Sequence, residues 1–256
     1  MERWHIVGNG YGIAAIRPQD KVIRFNQILV DDGCTALTIT NTKLAGLRKG
    51  FLLSGQIPFD DFAKCIEVNS HQLEEQLGCV PSLGLVSIHT LLNCGLTPRV
   101  SCMYLLPSLK RAYNLSHWKP LSAAYHNWLG ERRLALHWLD NLDWPEFYLQ
   151  APYQSKRSYD NVFDCFSLLK QLPDLPREDT RQLWKSLSQI SHQSWLEQAN
   201  HTNMESIESL FYLSRNTQHS PNWWLYDNQL SNYVDRIQKV LAFVQQSFSL
   251  TERAKA

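Results

Sequence analysis

A short apolar run, His5-Ile6-Val7, leads straight into Gly8-Asn9-Gly10-Tyr11-Gly12, and a second run, Val22-Ile23-Arg24-Phe25, follows shortly after. Few folds accommodate this order. It reads as half of a nucleotide-binding βαβ unit: a strand over Trp4–Val7, a glycine turn, a short helix from Tyr11 to Ile16 that Pro18 stops, and a strand over Lys21–Phe25. Glycine suits the turn because the backbone there must approach a neighbour closely or adopt positive φ. Amides opening the helix would then suit a phosphate or carboxylate. No leader is read ahead of the first strand.

A dinucleotide site is the first reading to weigh, and the residues argue against it. Its fingerprint needs G-x-G-x-x-G and an acidic residue about twenty positions on. Here Ile13 stands at the third glycine position and Asn26 where the acid belongs, with Asp31 and Asp32 falling later in a loop. A NAD(P)- or FAD-dependent oxidoreductase is therefore the least favoured function.

The rest of the first 150 residues keeps the α/β rhythm. Ala36–Thr40 alternates as a third strand ending at Asn41, and Gly50–Gly55 reads as a buried strand. A helix is read over Phe59–Gln76. Ser82 caps another helix with an apolar face of Leu85, Ile88, Leu91 and Leu92, ended by Gly95, and a strand follows over Arg99–Leu105. A helix enters from Glu131, and Trp144–Tyr148 is a short strand or an irregular segment. After Gly130 glycine disappears, and from about Ser158 apolar residues recur at helical spacing, as in Val162, Phe166, Leu169 and Leu172, and again from Leu230 to Val244. Four or five helices are expected there, with a frayed tail over Thr251–Ala256. The fold class is thus α/β: a Rossmann-like, mostly parallel sheet with helices on both faces over residues 1–150, and an α-helical C-terminal portion over residues 151–256.

Several function classes are disfavoured. Net charge is +1 and the basic residues are dispersed, so no nucleic-acid partner is expected. No apolar run is long enough to span a membrane, and a cytoplasmic protein is expected. The six cysteines form no C-x-x-C pair and read as reduced core residues. His117, His126 and His137 are nine and eleven apart, without metal-ligand spacing, so no metal site and no cofactor are expected.

Asparagine is the informative residue. Asn9, Asn26 and Asn41 each follow or end a strand, and ligands of open α/β sheets bind beyond the carboxyl ends of the strands. There an amide can donate to phosphate oxygens or read a ribose or base edge. The competing reading is that asparagine is simply common at strand ends.

Taken in order, these stretches resemble the sialyltransferase-like families. Val7-Gly8-Asn9-Gly10 and Ile23-Arg24-Phe25-Asn26-Gln27 are similar to the family's opening strands, which end in Gly-Asn-Gly and Arg-x-Asn. Pro81-Ser82-Leu83-Gly84-Leu85, the turn Leu91-Leu92-Asn93-Cys94-Gly95 and the strand after it resemble the small sialyl motif, with Leu83 where that motif has a second hydroxyl residue. His126 with Glu131 resembles the later His-x4-Glu motif. The resemblance spans Ile6–Glu131 and implies a bacterial-type, metal-independent, inverting glycosyltransferase. A CMP-activated acidic sugar would be the donor substrate and a glycan the acceptor. It implies Gly8, Asn9, Gly10, Asn26 and Asn41 for the nucleotide, Ser82 and Gly84 for donor phosphate or sugar, His126 as general base and Glu131 as its orienting partner; His89 is the rival histidine. The alternative is a non-catalytic nucleotide or small-ligand binding protein of the same fold. A homo-oligomer stays open.

Overall fold

The computed structural model describes residues 3–26, 34–42, 50–116, 119–152, 164–213 and 222–255. The Asp31-Asp32 pair, His117 and Val162 lie outside them. The chain forms two compact units. One comprises Met1–Leu105 with His137–Phe147, and the other Leu106–Leu136 with Tyr148–Ala256. This division differs from a boundary at residue 150: residues 106–136 belong with the helical portion, because Leu109, Ala124 and Leu129 are buried in its core.

The first unit is built on five strands: β1 (Arg3–Val7), β2 (Asp20–Phe25), β3 (Thr35–Thr42), β4 (Gly50–Gly55) and β5 (Arg99–Ser101). Their order is β4-β3-β2-β1-β5. β3, β2, β1 and β5 run parallel, and β4 joins the edge antiparallel to β3. The mostly parallel α/β class is as expected. Ile6, Val22, Ile23, Leu37, Ile39 and Val100 are fully buried, as strands covered by connecting segments require. Strand order reverses between β1 and β5, so the carboxyl ends of these two strands form the topological switch point. Two helices belong to this unit, α1 (Phe62–Leu77) and α2 (Leu83–Asn93). Ser82 caps α2, its Oγ accepting from Leu85 N at 3.3 Å.

Four local expectations need correction. Tyr11–Ile16 is not a helix: residues 8–17 form an irregular strap of bends, because Gly12 takes φ +122° and the amides of Gly8 and Gly10 bond elsewhere. β4 is an edge strand with Leu52 58% exposed, not a buried one. β5 ends at Ser101 rather than Leu105, because Cys102 and Leu105 turn to φ +52° and +47°. Only Cys102 and Cys165 of the six cysteines are buried; all are free thiols. Trp144–Tyr148 resolves into a single 3-10 turn over Pro145–Phe147.

The second unit is helical: α3 (Trp128–Trp138, whose last two residues fall in the first unit), α4 (Cys165–Gln171), α5 (Arg177–Leu187), α6 (His192–Glu197), α7 (His201–Ser206) and α8 (Leu230–Arg253). Its core gathers around Trp184, Trp195, Phe211 and Trp224. α8 runs on to Arg253 instead of fraying at Thr251, and the Arg253 guanidinium donates to the Leu136 carbonyl. Asp235 of α8 ties down the segment after β5, accepting from Leu109 N at 2.7 Å and Ser108 Oγ at 2.9 Å. No helix among the described residues is long and apolar enough to cross a membrane.

Candidate functional site

In the first unit the expected ligand residues do converge on the carboxyl edge of the sheet. Parallel strands put the ends of β1, β2, β3 and β5 there. α2, which precedes β5, brings its N-terminus to the same edge. Two close approaches mark this. A Cβ on Gly8 would lie 2.4 Å from the Cys102 carbonyl oxygen and 2.7 Å from Met103 Cβ, and one on Gly84 would lie 2.2 Å from Met103 Sδ. The glycine turn and the start of α2 therefore flank one short stretch, Cys102-Met103.

The glycine amides, however, do not make an anion cradle. Gly8 N donates to Ser101 O at 2.9 Å and Gly10 N to Cys102 O at 2.8 Å, so the turn prolongs the β1–β5 ladder. The glycines serve close backbone approach, and no helix follows to offer amides. The asparagines likewise stitch strand ends together. Asn9 Nδ2 donates to Phe25 O at 3.2 Å, and Asn26 Oδ1 accepts from Asn41 N at 3.1 Å. Asn26 sits at φ +52°, a conformation that asparagine tolerates better than most residues. All three side chains stay exposed to solvent, so these bonds do not bury them. The first-turn amides of α2, at Leu83 and Gly84, have no partner within the helix, and both residues are buried.

Two residues at this edge carried no local signal in the sequence. Cys102, in a region costly for a side chain with a Cβ, donates its amide to Glu146 Oε2 at 2.6 Å. Burial and the Glu146 carboxylate push the Cys102 thiol up, so it stays protonated at neutral pH. A buried amide held by a carboxylate some forty residues away cannot be read from spacing.

His89 lies on α2 and stacks on Trp138 with ring centroids 4.9 Å apart, and burial lowers its pKa. Burial also lowers the pKa of His5 on β1. A histidine whose folded pKa lies below the unfolded 6.5 binds fewer protons folded than unfolded as the pH drops. Its stabilising contribution is full above 6.5 and lost as pH falls through the folded value. His89→Phe, which keeps the stack and cannot protonate, should therefore flatten the fall of the denaturation midpoint as the pH drops below about 6.5. An unchanged slope would show that His89 already protonates freely when folded.

In the second unit, His126 and Glu131 do meet. Asn127 caps α3, its Oδ1 accepting from Gly130 N at 2.9 Å. His126 is then the residue before the cap and Glu131 the fourth helical residue, the two positions that fold against each other at a helix start. The spacing of five thus becomes a contact: His126 Nδ1 lies 3.7 Å from Glu131 Oε1, with the His126 side chain 26% exposed and Glu131 fully buried. The positive end of α3 favours the carboxylate there. Asn127 Nδ2 donates to Glu208 Oε2 at 2.9 Å, and Arg133 Nε donates to Glu208 Oε1 at 2.7 Å. Gly130 is confined by this network: a Cβ would lie 2.5 Å from Asn127 Nδ2.

Among the described residues no three of His, Cys, Asp and Glu converge as metal ligands. Compared with models of protein families, with curated proteins and with solved structures, the chain matches none.

Proposed function

We propose that this protein is a metal-independent, inverting glycosyltransferase similar to sialyltransferases. It would act in the cytoplasm, transferring an acidic sugar from a CMP-activated donor to a hydroxyl of a glycan acceptor. The observation that carries this reading is the His126–Glu131 contact: a partly exposed imidazole beside a fully buried carboxylate. A neutral imidazole can take the acceptor proton near neutral pH, and a fixed carboxylate orients it and stabilises the imidazolium that forms. In the step, the acceptor oxygen bonds to the anomeric carbon, its proton passes to His126, and the bond to CMP breaks. For the first unit by itself, the same reading assigns nucleotide binding to the carboxyl edge of the sheet. The α2 amides of Leu83 and Gly84 would face the phosphate, and the exposed Asn26 and Asn41 side chains would face the nucleoside.

A second reading, a ligand-binding module without catalysis, is favoured by one observation: the Gly8 and Gly10 amides are already taken by Ser101 and Cys102 carbonyls. One experiment separates the two. Thermal shifts are measured with CMP, UDP, GDP, NAD and FAD, with and without EDTA, since a ligand bound only by the native state raises Tm. Selective stabilisation by CMP, insensitive to EDTA, is expected. His126→Ala should keep that shift and lose transfer from a CMP-sugar by about 100-fold or more. A CMP shift with no transfer in the wild type would favour the binding module. Stabilisation by NAD or FAD alone would overturn the glycosyltransferase reading.

A further inference from the structure

Three buried polar side chains on one face of the sheet play no part in the function proposed above. His5 stands mid-strand in β1, Asp20 opens β2 and Ser101 closes β5. The register sets Arg3 opposite Asp20, His5 opposite Arg99 and Val7 opposite Ser101. Alternate residues of a strand share a face, so the three side chains lie on the same one. His5 Nδ1 is 3.1 Å from Asp20 Oδ2, and His5 Nε2 is 2.8 Å from Ser101 Oγ.

The chemistry of the neighbours settles the tautomer. An ionised Asp20 can only accept, and it already accepts from Arg17 N at 2.9 Å. Nδ1 of His5 therefore carries the proton, Nε2 offers a lone pair, and the Ser101 hydroxyl donates to it. The His5 and Asp20 side chains are 0% and 2% exposed. Burial holds the imidazole pKa down; Asp20 and Asp143 oppose that, and Arg99 adds to it. A serine hydroxyl on a neutral imidazole that a buried carboxylate orients is the arrangement that turns a serine oxygen into a nucleophile.

Ser101 also stands where a reacting serine should. It is the last residue of β5, at the switch point, and the chain leaves the sheet at Cys102 with φ +52°. The amide after a nucleophile serves as a donor to an acyl oxyanion. Here that amide, Cys102 N–H, is held by Glu146 Oε2 at 2.6 Å, an anion already seated on the donor. The face carrying Ser101 is covered by the strap instead of a helix. Ala14 and Ile16 rest on Val7 and Val22, Arg99 donates to Ala15 O at 3.0 Å, and Tyr11 and Ile13 are each 95% exposed.

We propose that Ser101, with His5 as base and Asp20 as positioning residue, is the nucleophile of an acyl-transfer site for a carboxylic ester. Ser101 Oγ bonds to the ester carbonyl carbon and its proton passes to His5 Nε2. The tetrahedral adduct collapses, the ester C–O bond breaks, and the departing alcohol takes the proton from His5. Water then repeats the sequence on the acyl-serine and releases the acid. Glu146 must leave the Cys102 amide for the oxyanion to occupy it. The site stands independently of the glycosyl-transfer reading.

The test uses the full chain and a fluorophosphonate probe. The Ser101 Oγ–P bond forms, the P–F bond breaks, fluoride leaves and the hydroxyl proton passes to His5. Intact and peptide mass spectrometry should place one adduct on Ser101 of the folded protein and none on heat-denatured protein. His5→Gln should slow labelling at least about tenfold. Asp20→Asn should slow it and move the midpoint of its pH profile lower, since Asp20 holds the imidazole pKa up against burial. Glu146→Ala should accelerate it. Melting curves of each variant identify any that fails to fold, and mapping the adduct in the wild type stands without them. No adduct on the folded wild type, an adduct elsewhere, or a folded His5→Gln that labels at the wild-type rate would overturn the proposal.

Discussion

Gly8→Ala should cost the protein about 3 kcal/mol, a large share of the stability of a domain this size. Gly8 does not adopt positive φ, so no backbone strain is involved. The loss comes from contact alone: the new Cβ would sit 2.4 Å from the Cys102 carbonyl oxygen, and that carbonyl is fixed because it accepts from Gly10 N. Gly95→Ala is the comparison. Nothing lies within 4 Å of a Cβ there, but φ is +74°, so its cost is conformational and about 1 kcal/mol. Urea denaturation of the two variants separates these causes. Equal losses would mean that β1 and β5 are not held this closely beyond Ser101. Gly84→Ala should fall between them, because the atom it meets is the flexible end of Met103.

Trp184→Ala should cost about 3–5 kcal/mol. Trp184 is fully buried in the helical unit, with ring centroids 5.8 Å from Phe211 and 5.7 Å from Trp224. Removing the indole takes away its burial and opens a cavity that two neighbouring rings cannot close. Trp184→Phe should cost far less, under about 1.5 kcal/mol, because the indole Nε1 is buried without a hydrogen-bond partner and its loss leaves nothing unsatisfied. Tyr113→Ala, at a side chain 92% exposed, should change stability by under about 0.5 kcal/mol. If Trp184→Ala behaved like Tyr113→Ala, the core could not be organised around that ring.

Arg132 shows how the helical unit handles polarity. Its side chain is fully buried and donates to Gln246 Oε1 at 3.3 Å, and burial lowers its pKa to about 9. With Asp235 and Gln246, α8 carries a buried polar stripe that holds the segments around it by hydrogen bonds as well as by packing.

What the residues determined by themselves is whatever local chemistry decides. The apolar runs at Ile6 and Ile23 became parallel strands, Ser82 capped α2 where its hydroxyl reaches Leu85 N, and α8 followed the spacing of Val234, Ile237, Leu241 and Val244. The His126–Glu131 contact was equally legible, because five residues across a helix start is a local distance. Tertiary structure decided the rest. Tyr11–Ile16 lost its helix because the Ser101 and Cys102 carbonyls took the Gly8 and Gly10 amides, and the ends of β2 and β3 took the Asn9 and Asn26 side chains as internal ties. His5, Asp20 and Ser101 became one hydrogen-bonded chain, although Ser101 is 96 residues from His5. Propensity and capping act within a few residues, whereas strand neighbours, close backbone approaches and buried polar partners exist only once the sheet has brought distant segments together.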